Sequence, residues 1–126
     1  MRNAGTYEKG TFEKRALLNE VTATTTSEEV PVAGARFIVM QYVRADHSSG
    51  SSAFKVEGTI DGGTTWHQLD HLAHDGSKTR AATITLSADG SELHSVDIEH
   101  TSVQAIRCTV TETTDGTHSA VAMITY

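Results

Sequence analysis

The chain has one cysteine, one proline and few aromatic residues, and each shortage excludes something. Cys108 has no partner for an internal disulfide, and its spacing from the histidines argues against a cysteine-based zinc site. Because Cys108 lies in an alternating apolar run, we expect a buried, unreactive thiol. Proline cannot donate to the ladder of a central strand, so Pro31 predicts an edge segment at 30–32.

Long apolar runs and basic clusters are also missing. No segment approaches the roughly 20 apolar residues that a membrane helix needs, and residues 1–10 lack the apolar region of a secretory signal peptide. No run of lysines or arginines follows residue 15, and the formal net charge is −6. Since phosphate contacts need a basic face, we expect neither a nucleic-acid partner nor a membrane partner.

The chain is rich in threonine and in short segments where apolar and polar residues alternate, which favours β-strands. Asp-Gly pairs, the strongest short hairpin signal, separate several of these segments. At 126 residues the chain is long enough for one domain with its own core. We therefore predict an all-β fold, an antiparallel β-sandwich of about eight strands formed by residues 16–126.

The segment 35–45 is apolar on both faces of the predicted strand. One face carries Phe37, Val39 and Val43, and the other carries Ile38, Met40 and Tyr42. A two-layer sandwich covers only one face of each sheet, so the second face requires the N-terminal arm or a partner subunit. We assign Ile38, Met40 and Tyr42 to partner contact.

Residues 1–15 form a separate region with a tandem near-repeat, GTYEK followed by GTFEK. In an extended chain Tyr7 and Phe12 would lie roughly 16–17 Å apart, as two separate anchors. The region is either a solvated tail or an extended arm that docks its aromatic residues on a neighbour. We predict the arm, with Tyr7 and Phe12 as partner-binding residues.

The segment TIDGGTTW, residues 59–66, predicts a tight hairpin. The Asp61 carboxylate can accept hydrogen bonds from the N–H groups of the turn, and Trp66 can seal the hairpin against the sheet. The pattern resembles an Asp-box, a structural hairpin in sialidase-like propellers, although propellers need several blades. A calcium loop is the alternative. We assign a structural role to Thr59, Asp61, Gly62, Gly63, Thr65 and Trp66.

Three histidines crowd into the segment HQLDHLAHD. In a helix, His67, His71 and His74 would share one face and could bind zinc. The segment follows a strand and ends in an Asp-Gly turn, so we favour polar loop histidines that titrate near an interface. We predict no metal, with these three as weak candidates, and no cofactor. No nucleophile elbow, HExxH or GxGxxG motif is present, and we expect no enzymatic activity.

Two longer segments, AFKVEGTIDGGTTWHQL and SVDIEHTSVQAIRCTVTETTDGTHSAVAMITY, resemble small β-sandwich virion proteins of tailed bacteriophages. This resemblance implies a non-enzymatic capsid decoration or accessory subunit that is made in the host cytoplasm and resides on the capsid surface. Its partners would be the major capsid protein or neighbouring copies of itself in a homo-oligomer. The alternatives are a carbohydrate-binding β-sandwich module and a tail or connector ring subunit.

Overall fold

The computed structural model describes residues 12–72, 80–98, 103–112 and 115–126, and every regular element in these ranges is a β-strand. The predicted all-β fold is therefore confirmed, with several very short strands in addition to the longer ones. In those same ranges, no helix has the length and apolar character needed to cross a membrane. The strands are β1 (Phe12–Val21), β2 (Thr25–Thr26), β3 (Val30–Pro31), β4 (Phe37–Ala45), β5 (Ser52–Thr59), β6 (His67–Gln68), β7 (His71–Leu72), β8 (Arg80–Ala81), β9 (Thr83–Leu86), β10 (Gly90–Val96), β11 (Ala105–Glu112) and β12 (Thr117–Thr125).

Two antiparallel sheets form the sandwich. Sheet A has the strand order β1-β12-β4-β10-β7-β8. Sheet B has the order β2-β11-β5-β6, with β3 also paired to β11 and β9 also paired to β5. Pro31 pairs with Ala105 in the short strand β3, which agrees with the edge position predicted for it.

The core lies between the sheets and follows from the two-residue period of the long strands. Each of β4, β5, β11 and β12 turns alternate residues inward, where they are almost fully buried. The rings of Tyr42 and Phe54 stack across the interior with centroids 4.6 Å apart, which joins sheet A to sheet B. Cys108 is buried as expected, and burial raises the pKa of its thiol to about 12.

The alternation predicted for β4 is confirmed, but the face assigned to partner contact was wrong. Ile38, Met40 and Tyr42 are at most 1% exposed and form the centre of the core. They pack against the apolar residues of sheet B, which a single chain already supplies.

The opposite side of the same strand is the uncovered one. Phe37 is 59% exposed, and Val39 is partly exposed on the same side. Neighbouring strands β1, β10 and β12 add further residues to this surface. We define the outer face of sheet A as Phe12, Lys14, Phe37, Val39, Gln41, Leu93, Val121 and Met123.

The first strand begins inside the region predicted as an arm. Phe12 pairs with Thr125 and Arg15 with Ala122, so residues 12–15 belong to the ladder between β1 and β12. Phe12 itself is 62% exposed. Tyr7 lies outside the described residues, and the domain boundary at residue 15 remains a prediction.

Gly116 follows Asp115 in the turn before β12, and its φ of 95° lies in the left-handed region. A Cβ atom there would lie 2.6 Å from the carbonyl oxygen of Ala45 and would also overlap the ring of His47. Gly34 has a similar φ of 86°, but open space surrounds its added Cβ. A substitution at Gly34 therefore introduces backbone strain alone, whereas a substitution at Gly116 introduces both backbone strain and steric overlap.

We expect Gly34→Ala to lower the free energy of unfolding by about 1–2 kcal/mol, the cost of left-handed backbone in a residue with a Cβ. Gly116→Ala should cost clearly more, because the Ala45 carbonyl belongs to the backbone and cannot move aside cheaply. Urea unfolding of both variants measures the difference. Equal losses would contradict the close approach of the turn to β4.

Candidate functional site

The segment TIDGGTTW forms the predicted hairpin between β5 and β6. The Asp61 carboxylate accepts a hydrogen bond from the backbone N–H of Thr65 at 2.9 Å and another from the Thr59 hydroxyl at 2.9 Å. These two donors hold the pKa of Asp61 below its ordinary value. Gly62 and Gly63 both have positive φ, which glycine adopts at little cost.

Thr59 is the centre of this network. Its side chain is 1% exposed, and its oxygen also accepts a hydrogen bond from the N–H of Gly63 at 3.0 Å. The turn is thus closed by its own side chains and backbone, as expected for a structural hairpin.

The Trp66 ring is held by two contacts. Its indole N–H donates to the carbonyl oxygen of Gly63 at 3.0 Å, and the Arg107 guanidinium lies 4.3 Å from the ring centroid. Glu57 in turn accepts a hydrogen bond from Arg107 at 2.9 Å. One face of the tryptophan is therefore occupied by a cation that is itself paired, which fits a packing role.

The described part of the histidine segment, residues 67–72, forms two short strands rather than a helix. His67 lies exposed in β6 of sheet B, whereas His71 is buried in β7 of sheet A. His74 lies outside the described residues. Within the ranges that the structure describes, no three His, Cys, Asp or Glu residues come together as a metal-binding group.

His71 contributes a neutral polar contact to the core. Its Nδ1 lies 3.1 Å from the carbonyl oxygen of Ala81, and a carbonyl only accepts, so Nδ1 carries the proton. Its Nε2 therefore accepts the hydrogen bond from the Tyr42 hydroxyl at 2.5 Å. Burial lowers the pKa of His71 to about 4, and the nearby His94 ring acts in the same direction.

A second buried histidine, His118, lies beside Ser52, near the C-terminal end of β4. The two side chains are fully buried and lie 2.7 Å apart, while His118 Nδ1 donates to the carbonyl oxygen of Val21. His47 approaches the same Ser52 hydroxyl at 3.2 Å. A serine next to a histidine is the pairing of a nucleophile and its base, but this hydroxyl is closed to solvent. We interpret the group as an internal polar network.

Sequence reasoning missed these interior polar residues. His118 lies in the inward row of β12 with Ala120, Ala122 and Ile124, and its two-residue spacing from them was the available signal. Arg44 likewise continues the inward row of Tyr42 in β4.

Thr59→Val should lower the free energy of unfolding by about 1–2 kcal/mol, because it keeps the shape of the side chain and removes a buried hydroxyl with several partners. Thr59→Ser keeps the hydroxyl and should lose less. Chemical unfolding of both variants decides the matter, and a Thr59→Val protein as stable as wild type would refute the role of this hydroxyl.

Acid should weaken the fold through His71. Below about pH 6.5 the unfolded chain takes up a proton that the folded chain refuses until about pH 4. The free energy of unfolding therefore falls as the pH falls through this window, by about 3 kcal/mol in total. Urea unfolding between pH 7 and pH 4 measures the slope.

Two variants identify the source of that slope. His71→Gln should flatten it, whatever the stability of the variant at neutral pH. His67→Gln removes an exposed histidine and should leave the slope unchanged. A slope that survives His71→Gln would place the titrating group elsewhere.

No protein-family model matches the sequence, and no curated protein matches it either. The fold, however, is similar to that of two solved structures. The SPBc2 prophage-derived protein YomS aligns with a TM-score of 0.71 and 12% identity, over 91% of this chain and 93% of YomS.

The PBSX exported protein XepA aligns with a TM-score of 0.72 and 13% identity, over all of this chain and 46% of XepA. This chain therefore spans about half the length of XepA. Both neighbours are prophage-derived. At these identities the likeness is one of fold: this chain has the β-sandwich fold found in two prophage proteins.

Proposed function

We propose that this protein is a non-enzymatic structural subunit of a phage particle, of the capsid decoration type, which binds the coat lattice through the outer face of sheet A. The observation that carries the proposal is the uncovered apolar surface on that sheet. The fold shared with two prophage proteins supports a phage origin for the chain.

The outer face is continuous across four strands. Met123 pairs with Val39 in the ladder, and both Leu93 and Val121 pair with Gln41. Leu93 is 54% exposed and Met123 42% exposed. Their apolar side chains share a shallow hollow of about 220 Å³ with Lys14. Scattered exposed apolar residues are ordinary, but adjacent ones on one sheet indicate an interaction surface.

The free energy gained by burying the outer face suits attachment to a lattice. Burying one large apolar side chain completely contributes about 1.5–3 kcal/mol, so a few half-exposed residues give each subunit a modest affinity after the cost of association. A capsid presents many coat subunits, and this raises the overall affinity by multivalency. A copy of this protein that is already bound holds neighbouring copies close to further binding sites on the lattice.

The N-terminal region adds to this surface in our proposal. Phe12 lies at the start of β1, an edge strand of sheet A. Phe12 and Phe37 both pair with Thr125, from opposite sides of β12. Residues 1–11, which include Tyr7, precede this point. We propose that they act as an arm that clips a neighbouring coat subunit or a second copy of this chain.

The test is cosedimentation of the purified protein with heads and, separately, with tails of a phage that encodes it. We expect saturable binding to heads. Leu93→Asp should weaken that binding at least about tenfold, because it removes apolar contact and buries a charge. Ile60 is an equally apolar residue, 70% exposed on the hairpin away from sheet A, so Ile60→Asp is the matched control.

Three outcomes would count against the proposal. Binding to tails alone would favour a tail or connector subunit, and a positive glycan array without particle binding would favour a carbohydrate-binding module. Equal weakening by Leu93→Asp and Ile60→Asp would remove the outer face as the binding surface. Matching melting temperatures for the variants confirm that each is folded.

A further inference from the structure

A polar cleft lies at one end of the sandwich, apart from the outer face of sheet A. It is formed by the loop that joins β4 to β5 and the loop that joins β9 to β10, and it has a volume of about 300 Å³. Arg44 and His47 contribute cationic or titratable groups to its wall, and Ser87 contributes a hydroxyl. Neither the hairpin nor the proposed coat contact uses this cleft.

Arg44 is the unusual member of the cleft. It is 3% exposed, and one terminal nitrogen donates to the carbonyl oxygens of Ser49 at 3.1 Å and Gly50 at 2.6 Å. Its Nε is buried and has no hydrogen-bond partner. Among the residues that the structure describes, no carboxylate lies within 4.0 Å of its guanidinium.

This arrangement is costly without a ligand. Arginine stays protonated in proteins, and a buried charge without an opposite charge is unfavourable. Carbonyl oxygens satisfy two hydrogen bonds but supply only partial negative charge. A guanidinium is also the side chain best suited to bind carboxylate or phosphate oxygens through paired N–H donors.

Just outside the cleft lining, the Asp115 carboxylate accepts hydrogen bonds from the N–H of Ser48 at 3.1 Å and from its hydroxyl at 2.8 Å. Among the described residues that line the cleft, the one carboxylate belongs to Asp89, and it is directed at another residue. Its oxygens lie 3.4 Å from the backbone nitrogen and 3.6 Å from the ring Nδ1 of His47. Asp89 is also 46% exposed, so solvent screens its charge. It opposes an incoming anion at the rim but does not neutralise Arg44.

We propose that this cleft binds a small oxyanion, the phosphate or carboxylate group of a ligand, with the Arg44 guanidinium as its principal donor. The site is independent of the proposed function, since it lies at the loop end of the sandwich and involves none of the outer-face residues.

The experiment is an NMR titration of the full-length protein with sodium phosphate and, in a second arm, sodium acetate. Sodium chloride at matched ionic strength is the reference. We expect saturable shifts of the Arg44 Nε–H and of the backbone amides of residues 47–50 and 87–89 with at least one oxyanion. The arm that saturates at lower concentration identifies phosphate or carboxylate as the preferred group.

Variants distinguish a built site from general charge effects. Arg44→Gln should abolish the saturable shifts, whereas Arg36→Gln removes an equal charge from an exposed position and should leave them intact. Asp89→Asn removes the opposing carboxylate from the rim and should tighten binding by about fivefold. This third variant tests the proposal even if Arg44→Gln fails to fold.

Several results would overturn the proposal. Shifts that chloride reproduces, or shifts that never saturate in either arm, would mean that the cleft holds water only. Saturable shifts retained in Arg44→Gln, or an affinity that Asp89→Asn leaves unchanged, would place the anion elsewhere.

Discussion

The structure depends on the strict alternation of side chains along β4. This strand lies between β12 and β10 in the middle of sheet A, and its inward row carries Ile38, Met40 and Tyr42. The Tyr42 ring then reaches Phe54 of the opposite sheet. A slip of one residue would exchange the two faces of the strand, so the stacked pair fixes the register of sheet A and the alignment of the two layers together.

The same alternation places polar groups inside the sandwich, and most of them have hydrogen-bond partners nearby. His71 and His118 both donate from Nδ1 to a backbone carbonyl, which leaves Nε2 to meet a hydroxyl. Both rings therefore have a hydrogen-bond partner at each nitrogen. Among the described residues, Arg44 Nε and His94 Nδ1 are the exceptions, since both are buried without a hydrogen-bond partner. Arg44 is buried because the inward row of β4 continues past Tyr42 towards the loop end of the sandwich. The core is thus apolar in its middle and polar towards its loops.

Much of this was predictable from local chemistry. TIDGGTTW specifies its own hairpin, since the hydrogen bonds of Asp61 and Thr59 stay within the turn. The inward face of β4 was not predictable, because each face has at least three apolar residues and one polar residue, Gln41 on one and Arg44 on the other. Contacts with the other strands of the sandwich decide which face is buried. The sequence also did not predict that the histidine segment contributes one strand to each sheet, because strands of two residues are too short to show a periodic pattern.

The central claim is that the outer face of sheet A is open in the single chain and becomes covered in an assembly. Methionine oxidation tests this directly, because Met123 is 42% exposed on the outer face and Met40 is fully buried one strand away. Peptide mass spectrometry after brief peroxide treatment should show fast oxidation of Met123 and slow oxidation of Met40 in the isolated protein. In the particle-bound protein, Met123 should become protected. Equal oxidation of the two residues, or no protection of Met123 on the particle, would contradict the account.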